Sequence, residues 1–315
     1  MPLVSVVLIF LNEQRFLEEA VQSVRDQTLT DWELILVDDG STDRSTQIAR
    51  ELAAQDDRIR YIDHPGHQNR GMAASRNLGA AHSTAPYLGF LDGDDVWVPI
   101  KLAEQVDLLE SMPDIAMVNG ALLYWSSWDP TTTKRDDNVL TGGIADRRLD
   151  PPEIALTIYP LGPADGAGVD LLVRRSAFDA VGGFEERFRG LFEDQSFLLK
   201  VFLRYPVYIS SHVWIFYRQH DASACAQISG TDYRHVRGMF LDWLTDDVDR
   251  LGDARVSKAL RRVRRRLRYR RLMAPLIDPV IPLLDALRGS VPDKFKEPVR
   301  RALHRARREE SPTGG

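Results

Sequence analysis

The chain has a single cysteine, Cys225, in 315 residues. No disulfide can form within it, so the fold rests on a hydrophobic core, and this usage suits a reducing compartment. A G-x-G-x-x-G is absent after the first apolar run, and a G-x-x-x-x-G-K-[ST] is absent throughout. Dinucleotide dehydrogenases and P-loop enzymes lose support accordingly. Internal repeats and zinc-spaced Cys/His clusters are also missing. No apolar stretch reaches the ~20 residues of a membrane-spanning helix; "LMAPLIDPVIPLLDAL" falls short and holds three prolines and two aspartates. The opening "MPLVSVVLIFLNEQ" lacks the basic start and small-residue cleavage site of a signal peptide. It reads as a buried first strand.

At 43% hydrophobic and 28% charged residues, the composition is that of a soluble globular protein. The net charge of −5 conceals an asymmetry: residues 251–315 carry 18 Lys/Arg against 7 Asp/Glu, which leaves −16 on the first 250. An acidic body with a basic tail suggests two separate tasks.

Along the body, β-branched apolar runs alternate with helical patterns. Val4–Leu11 is such a run, followed by Leu17, Ala20, Val21 and Val24 at helical spacing, with Asn12 placed to cap that helix. Glu33–Val37 leads into "DDGSTD", where Ser41 or Asp43 can cap a helix carrying Ile48 and Leu52. Further strands are expected at Ile59–Ile62, "YLGFL" and "IAMVNGALLYW", with helices at "GMAASRNLGAA" and after Pro99. This alternation predicts an α/β domain with a largely parallel sheet and helices on both faces. Ligands of such sheets bind beyond the carboxyl ends of the strands. Here those ends are Asn12, Asp38-Asp39 and Asp92-Gly93-Asp94-Asp95.

The last cluster is the most demanding. Two like charges ~5 Å apart repel by roughly 3 kcal/mol at an effective dielectric near 20, so a buried D-G-D-D calls for a positive partner. Carboxylates are hard ligands for Mg²⁺ or Mn²⁺. A solvated turn and an Asx-turn with a helix cap are the simpler readings of D-G-D-D and D-D-G-S taken singly.

Taken together, "SVVLIFLNE", "LILVDDGSTD", "GMAASRNLG" and "LGFLDGDDVW" resemble the nucleotide-binding half of family 2 glycosyltransferases with the GT-A fold. "LLVRRSAFDAVGGFEERFRGLFEDQSFLLKVFLR" resembles that family's acceptor-side block, and "YRQHDASAC" the segment that follows it. The resemblance implies a GT-A catalytic domain over 1–240, with residues 1–120 binding the nucleotide-sugar and 121–240 the acceptor; residues 241–315 read from their charge and spacing as a basic amphipathic helical tail. It places Phe10, Asn12, Glu13, Asp38, Asp39, Arg76, Asp92 and Gly93 with the nucleotide. Asp39 matches the nucleobase carboxylate, and Arg76 an arginine near the diphosphate. Asp94 and His220 are the implied metal residues, and Asp194 the base of inverting members. Arg70, Glu193, Arg218 and Trp125 are further candidates for phosphate or acceptor contacts. The family's Asn-x-Gly appears as Gln68-Asn69-Arg70-Gly71, which leaves Arg70 and Arg76 as alternatives for the phosphate.

The implied reaction is inverting, divalent-metal-dependent transfer from a nucleotide-sugar, expected to be a UDP-sugar, to a hydroxyl of a glycan or lipid-linked acceptor in cell-surface polysaccharide synthesis. Sugar nucleotidyltransfer and non-catalytic sugar-nucleotide binding are the competing readings. The first would want a glycine-rich basic loop that Phe10–Arg15 does not offer, and the second has no need of Asp194.

In the tail, nine of the fourteen residues from Lys258 to Arg271 are basic, beside an apolar stripe of Val256, Leu260, Val263 and Leu267. Phe295, Val299 and Leu303 make a second, similar pattern. Such a tail suits an anionic membrane surface over about 255–310, with packing on the catalytic domain or in a homo-oligomer as the alternative. The expected location is cytoplasmic, peripheral on the inner face of the cell membrane. Nucleic acid is not expected, because aromatic interleaving is missing.

Overall fold

The computed structural model describes residues 1–144, 146–164, 168, 170–220 and 230–277. The chain divides into two compact units, Met1–Ser223 and Ala224–Gly315, so the first ends ahead of residue 240.

The first unit is an α/β domain around one mixed sheet. Strands β1 (Val4–Phe10), β2 (Trp32–Asp38), β3 (Ile59–Asp63) and β4 (Tyr87–Asp92) run parallel in the order β3-β2-β1-β4. β1 is buried along its whole length, as its unbroken apolar run requires. The connecting helices are α1 (Leu17–Arg25), α2 (Ser45–Gln55) and α3 (Met72–Ala81). The first two bury the residues expected, Leu17, Ala20, Val21 and Val24, then Ile48 and Leu52. α3 packs closely through small residues: a Cβ on Gly79 would stand 2.3 Å from Val7 Cγ1.

The second half of the sheet departs from the parallel expectation. β5 (Val96–Trp97) is followed by α4 (Lys101–Ser111) and β6 (Met117–Trp125). Next come β7 (Asp137–Val139), β8 (Arg147–Leu149), α5 (Glu153–Thr157), β9 (Leu171–Arg174), α6 (Arg175–Val181), α7 (Glu193–Phe202) and β10 (Val207–Arg218). β9 inserts antiparallel between β4 and β6, β10 runs parallel to β6, and β5 pairs antiparallel with β10. A parallel neighbour needs a crossover of a dozen or more residues, usually helical. Between β6 and β9 the described chain offers no helix longer than the five-residue α5.

Register sets the rim. Phe10 aligns with Asp38, Asp38 with Asp63, and Ile9 with Asp92, so three strands deliver a carboxylate to the same end of the sheet.

In the second unit, α8 (Gly230–Leu251) and α9 (Ala254–Ile277) pack on one another. Arg264 on α9 donates to Thr245 Oγ1 and to Asp242 Oδ1 on α8. The stripe of Val256, Leu260, Val263 and Leu267 is buried, at 0–8% exposure, and so is not free to insert into lipid. Lys258, Arg261, Arg265, Arg266 and Arg268 are exposed. No helix among the described residues is long and apolar enough to cross a membrane. The pattern at Phe295–Leu303 and Cys225 lie outside the described residues.

Candidate functional site

The β2 turn is held from within. Asp38 is fully buried, its Oδ1 accepting from Ser41 N (2.7 Å) and its Oδ2 from the hydroxyls of Thr46 (2.5 Å) and Tyr61 (3.3 Å). It anchors the turn and has no open face for the nucleotide contact expected of it. Asp39 instead draws in the loop after β3, accepting from Arg70 N (2.7 Å) and Gly71 N (3.0 Å). His64 Nε2 lies 3.6 Å from Asp39, and burial pushes its imidazole down toward neutrality. His67 bonds Asp63 and the Ser41 carbonyl, which raise its pKa. Gly40, at φ +87°, lets this loop close: a Cβ there would sit 2.8 Å from Asn69 N. The side chain of Arg70 is exposed.

Asn12 does not cap α1. At φ +60°, its Oδ1 accepts from Thr42 N (2.7 Å) and Asp43 N (3.3 Å), while its own N–H donates to Ser41 Oγ (3.0 Å). It therefore clamps the β1 end to the β2 turn. Asp43, as expected, serves the start of α2 by accepting from Ser45 N at 2.9 Å.

The acidic loop folds against β1. Gly93 N donates to Ile9 O at 2.9 Å, and a Cβ on Gly93 would stand 2.8 Å from Phe10 Cβ. Glycine is needed here for close approach, and Phe10 is buried beneath it. Asp92 bonds Arg76 Nη2 at 2.7 Å. Arg76 is only 1% exposed and also faces Glu193 at 3.8 Å, so it lies beneath the rim, without the open face a diphosphate contact needs. Asp94 meets His220 Nε2 at 3.0 Å, both half-buried. Asp95 is buried and accepts from Arg218 N at 2.9 Å; burial, then Asp94 and Asp92, raise its pKa. Glu13 is pushed up to about 8 by burial and by the charges of Asp94, Asp92 and Asp43. Negative charge at this rim exceeds what the local arginines balance.

Arg218 is the second arginine whose place differs from expectation. It is 3% exposed, donates to Asp94 O (2.6 Å) and Glu19 (2.6 Å), and lies over Phe16, Trp125 and Trp128 at 4.5, 4.5 and 5.2 Å. Its guanidinium is committed to these partners beneath the rim. Trp125 is likewise committed to this box, and Trp128 donates Nε1–H to Gln219 O. The box fixes the end of β10 on the acidic loop and so brings His220 to Asp94. Its members are too far apart in sequence to be recognised as a unit; only the adjacency in "YRQH" hints at it.

The base candidate stands at the N-terminus of α7. The preceding Phe192 is held at φ +65°, a strained conformation for a bulky residue. Glu193 is buried, and burial together with Asp194 pushes it up to about 8. Asp194 is half-buried; burial raises its pKa, against the N–H of Gln195, which donates to Oδ1 at 2.6 Å.

Asp94 and His220 form the pair best suited to a divalent cation, as oxygen and imidazole donors among unbalanced carboxylates. Among the described residues no group of three or more His, Cys, Asp or Glu is preassembled for a metal. An ion would complete its shell from water and substrate phosphate, as Mg²⁺ commonly does.

Known proteins share this framework. Residues 5–182 match the family described as Glycosyl transferase family 2. TuaG of Bacillus subtilis (strain 168), a glycosyltransferase named for teichuronic acid biosynthesis, is 37% identical over 110 residues, which are 34% of this chain and 42% of TuaG. Five curated relatives at 36–46% identity are each covered over only 26–45% of their own length. Among solved structures, S. aureus TarS 1-349 in complex with UDP-GlcNAc aligns at a TM-score of 0.66 and 18% identity, covering 98% of this chain and 88% of that one. The mannosyltransferase PcManGT from Pyrobaculum calidifontis, in complex with GDP-Man and Mn²⁺, aligns at 0.56 and 18%, covering 97% and 79%. The sheet, its rim and a family match spanning more than half the sequence lead to one conclusion: the chain belongs to glycosyl transferase family 2 and has the GT-A fold.

Proposed function

We propose that the protein transfers a sugar, with inversion, from a UDP-sugar to a hydroxyl of a glycan or glycolipid acceptor in cell-surface polysaccharide synthesis. The observation that carries this reading is Arg76. It touches Asp92 with one nitrogen and faces Glu193 with the other, so the donor loop and the residue beside Asp194 lie one side chain apart. That proximity suits a nucleotide-sugar lying across the rim with its anomeric carbon toward Asp194.

In this reading Asp39 takes the nucleobase and Asp92 the ribose. Asp94 and His220 would hold Mn²⁺ or Mg²⁺, which supplies positive charge to the departing diphosphate. Asp194 takes the proton of the acceptor hydroxyl as its oxygen attacks the anomeric carbon. Attack from the face opposite the diphosphate inverts that centre. The ligands of the TarS and PcManGT structures, UDP-GlcNAc and GDP-Man with Mn²⁺, are in keeping with such a donor and cation.

Calorimetry with a panel of nucleoside diphosphates, with and without Mn²⁺, tests the donor side. We expect metal-dependent binding of UDP, lost in Asp94→Ala. No binding of any nucleotide would sink the reading.

We also place the protein at the inner face of the cell membrane, held by the exposed cations of α9. At ~1 kcal/mol for each basic residue near an anionic surface, Lys258, Arg261, Arg265 and Arg268 would together contribute about 4 kcal/mol of attraction without apolar insertion. Sedimentation with phosphatidylglycerol vesicles should be lost when these four are changed to Glu. Unchanged sedimentation would exclude this face.

A further inference from the structure

Arg76 is more deeply buried than a substrate-binding arginine need be. Its guanidinium is 1% exposed, bonded to Asp92 Oδ1 at 2.7 Å, 3.8 Å from Glu193 Oε1, and 5.4 Å from the Phe184 ring. Two of its nitrogens, Nε and Nη1, donate no hydrogen bond, and Glu193 Oε2 accepts none. A buried cation with spare donors thus stands beside a buried carboxyl with a spare acceptor, held there by its bond to Asp92.

We propose that Arg76 is a positioning residue for the base: from beneath the rim it bridges Asp92 and Glu193, and through that bridge it fixes the position and charge of Asp194. The inference rests on Asp194 being the base. Glu193 and Asp194 are adjacent at the start of one helix, and two ionised carboxylates at that spacing in a buried site oppose each other. Burial pushes Glu193 up to about 8, so near neutral pH it keeps its proton and leaves the negative charge to Asp194. Arg76 is the cation that acts on both. Among the described residues of α5, α6 and α7, the other charged side chains are turned elsewhere or exposed. Arg175 of α6 is turned to Ala80 O, Ala85 O and Ser83, and Asp179 is exposed. Glu153 of α5 pairs with Arg147, and Lys200, farther along α7, pairs with Glu185. Asp92 is the other charge in reach, and Arg76 holds it.

The test needs no substrate. The full chain, ¹³C-labelled at its Asp and Glu carboxyls, is titrated by NMR, with Glu193→Gln and Asp194→Asn assigning the signals. Arg76→Met should raise the Asp194 midpoint by about one to three pH units, the range an adjacent arginine commands. Adding Glu193→Gln to that variant should change the Asp194 midpoint little, because Glu193 already keeps its proton there. If Arg76→Met moves neither carboxyl, the proposal falls. If Arg76→Met does not fold, Arg76→Gln takes its place in the same titration, a raised Asp194 midpoint supporting the bridge and an unmoved one overturning it. Release of UDP from UDP-GlcNAc in water, compared between wild type and Asp194→Asn, separates the two levels. Equal release would remove Asp194 as the base whatever the carboxyl titrations show.

Discussion

Two ionic groups lie inside the first unit, and they are built differently. Lys101 and Asp170 are both fully buried and bonded to each other, with Lys101 Nζ 4.7 Å from the Trp97 ring and 6.0 Å from that of Trp214. One cation meets one carboxylate, sealed from water. Burial pushes Lys101 down and Asp170 up, and each opposes the other's shift. At the rim, by contrast, Arg76 and Arg218 face Glu13, Asp92, Asp94, Asp95, Glu193 and Asp194. The core pair is balanced and belongs to the fold. The rim is left acidic, and an acidic surplus in a half-buried place is stable only with protons or with a cationic ligand. Imbalance, more than burial, separates the candidate site from the structural pair.

That contrast can be broken by substitution. Asp194→Asn keeps the shape of the rim and removes the proposed base, so sugar transfer should fall about 10²–10⁴-fold with little change in the urea midpoint. An equal loss of stability would make Asp194 structural. Lys101→Met should do the reverse. It leaves Asp170 buried without its cation and should cost about 3–5 kcal/mol in chemical denaturation, with nucleotide affinity unchanged for the folded fraction. Combining it with Asp170→Asn should recover much of the loss.

The pH dependence sharpens the same point. Glu13 and Glu193 each stand near 8 in the folded chain against an ordinary 4.5. The unfolded chain therefore releases these protons first, and stability should fall as the pH rises from about 4.5 to about 8, then level off. Glu13→Gln should flatten part of that decline in a urea series; an unaltered slope would show that the surplus does not act through Glu13. The smallest effect is expected at the surface pair of Glu153 and Arg147, more than half exposed on both sides. Glu153→Ala should change stability by under about 1 kcal/mol.

Much of the first half of the sheet was legible in the sequence because buried parallel strands are written as unbroken apolar runs. β1, β2 and β4 lie where Val4–Leu11, Glu33–Val37 and "YLGFL" place them. In the second half α4 and β6 lie where the helix after Pro99 and "IAMVNGALLYW" place them, but the rest was not legible. β7, β8 and β9 are three or four residues long, too short for a period to register. β10 is interrupted by register shifts between Ile209 and Ile215, which break its alternation. Lys101 sits where an exposed first-turn residue would be expected, and its partner is 69 residues away. The directions taken by Arg76 and Arg218 depend on burial, which a motif does not encode.

The clasp at the end of β10 also bears on the order in which the molecule assembles. The turns after β1, β2 and β4 lie within the first 95 residues, whereas His220 reaches Asp94 across 126 residues and Arg218 reaches Glu19 across 199. Contacts that close such long loops are slow to form and come late. During synthesis, a partly made chain can shape those turns well before the imidazole arrives. Commitment to the working site is thus deferred until the strand bearing it has left the ribosome and found its register.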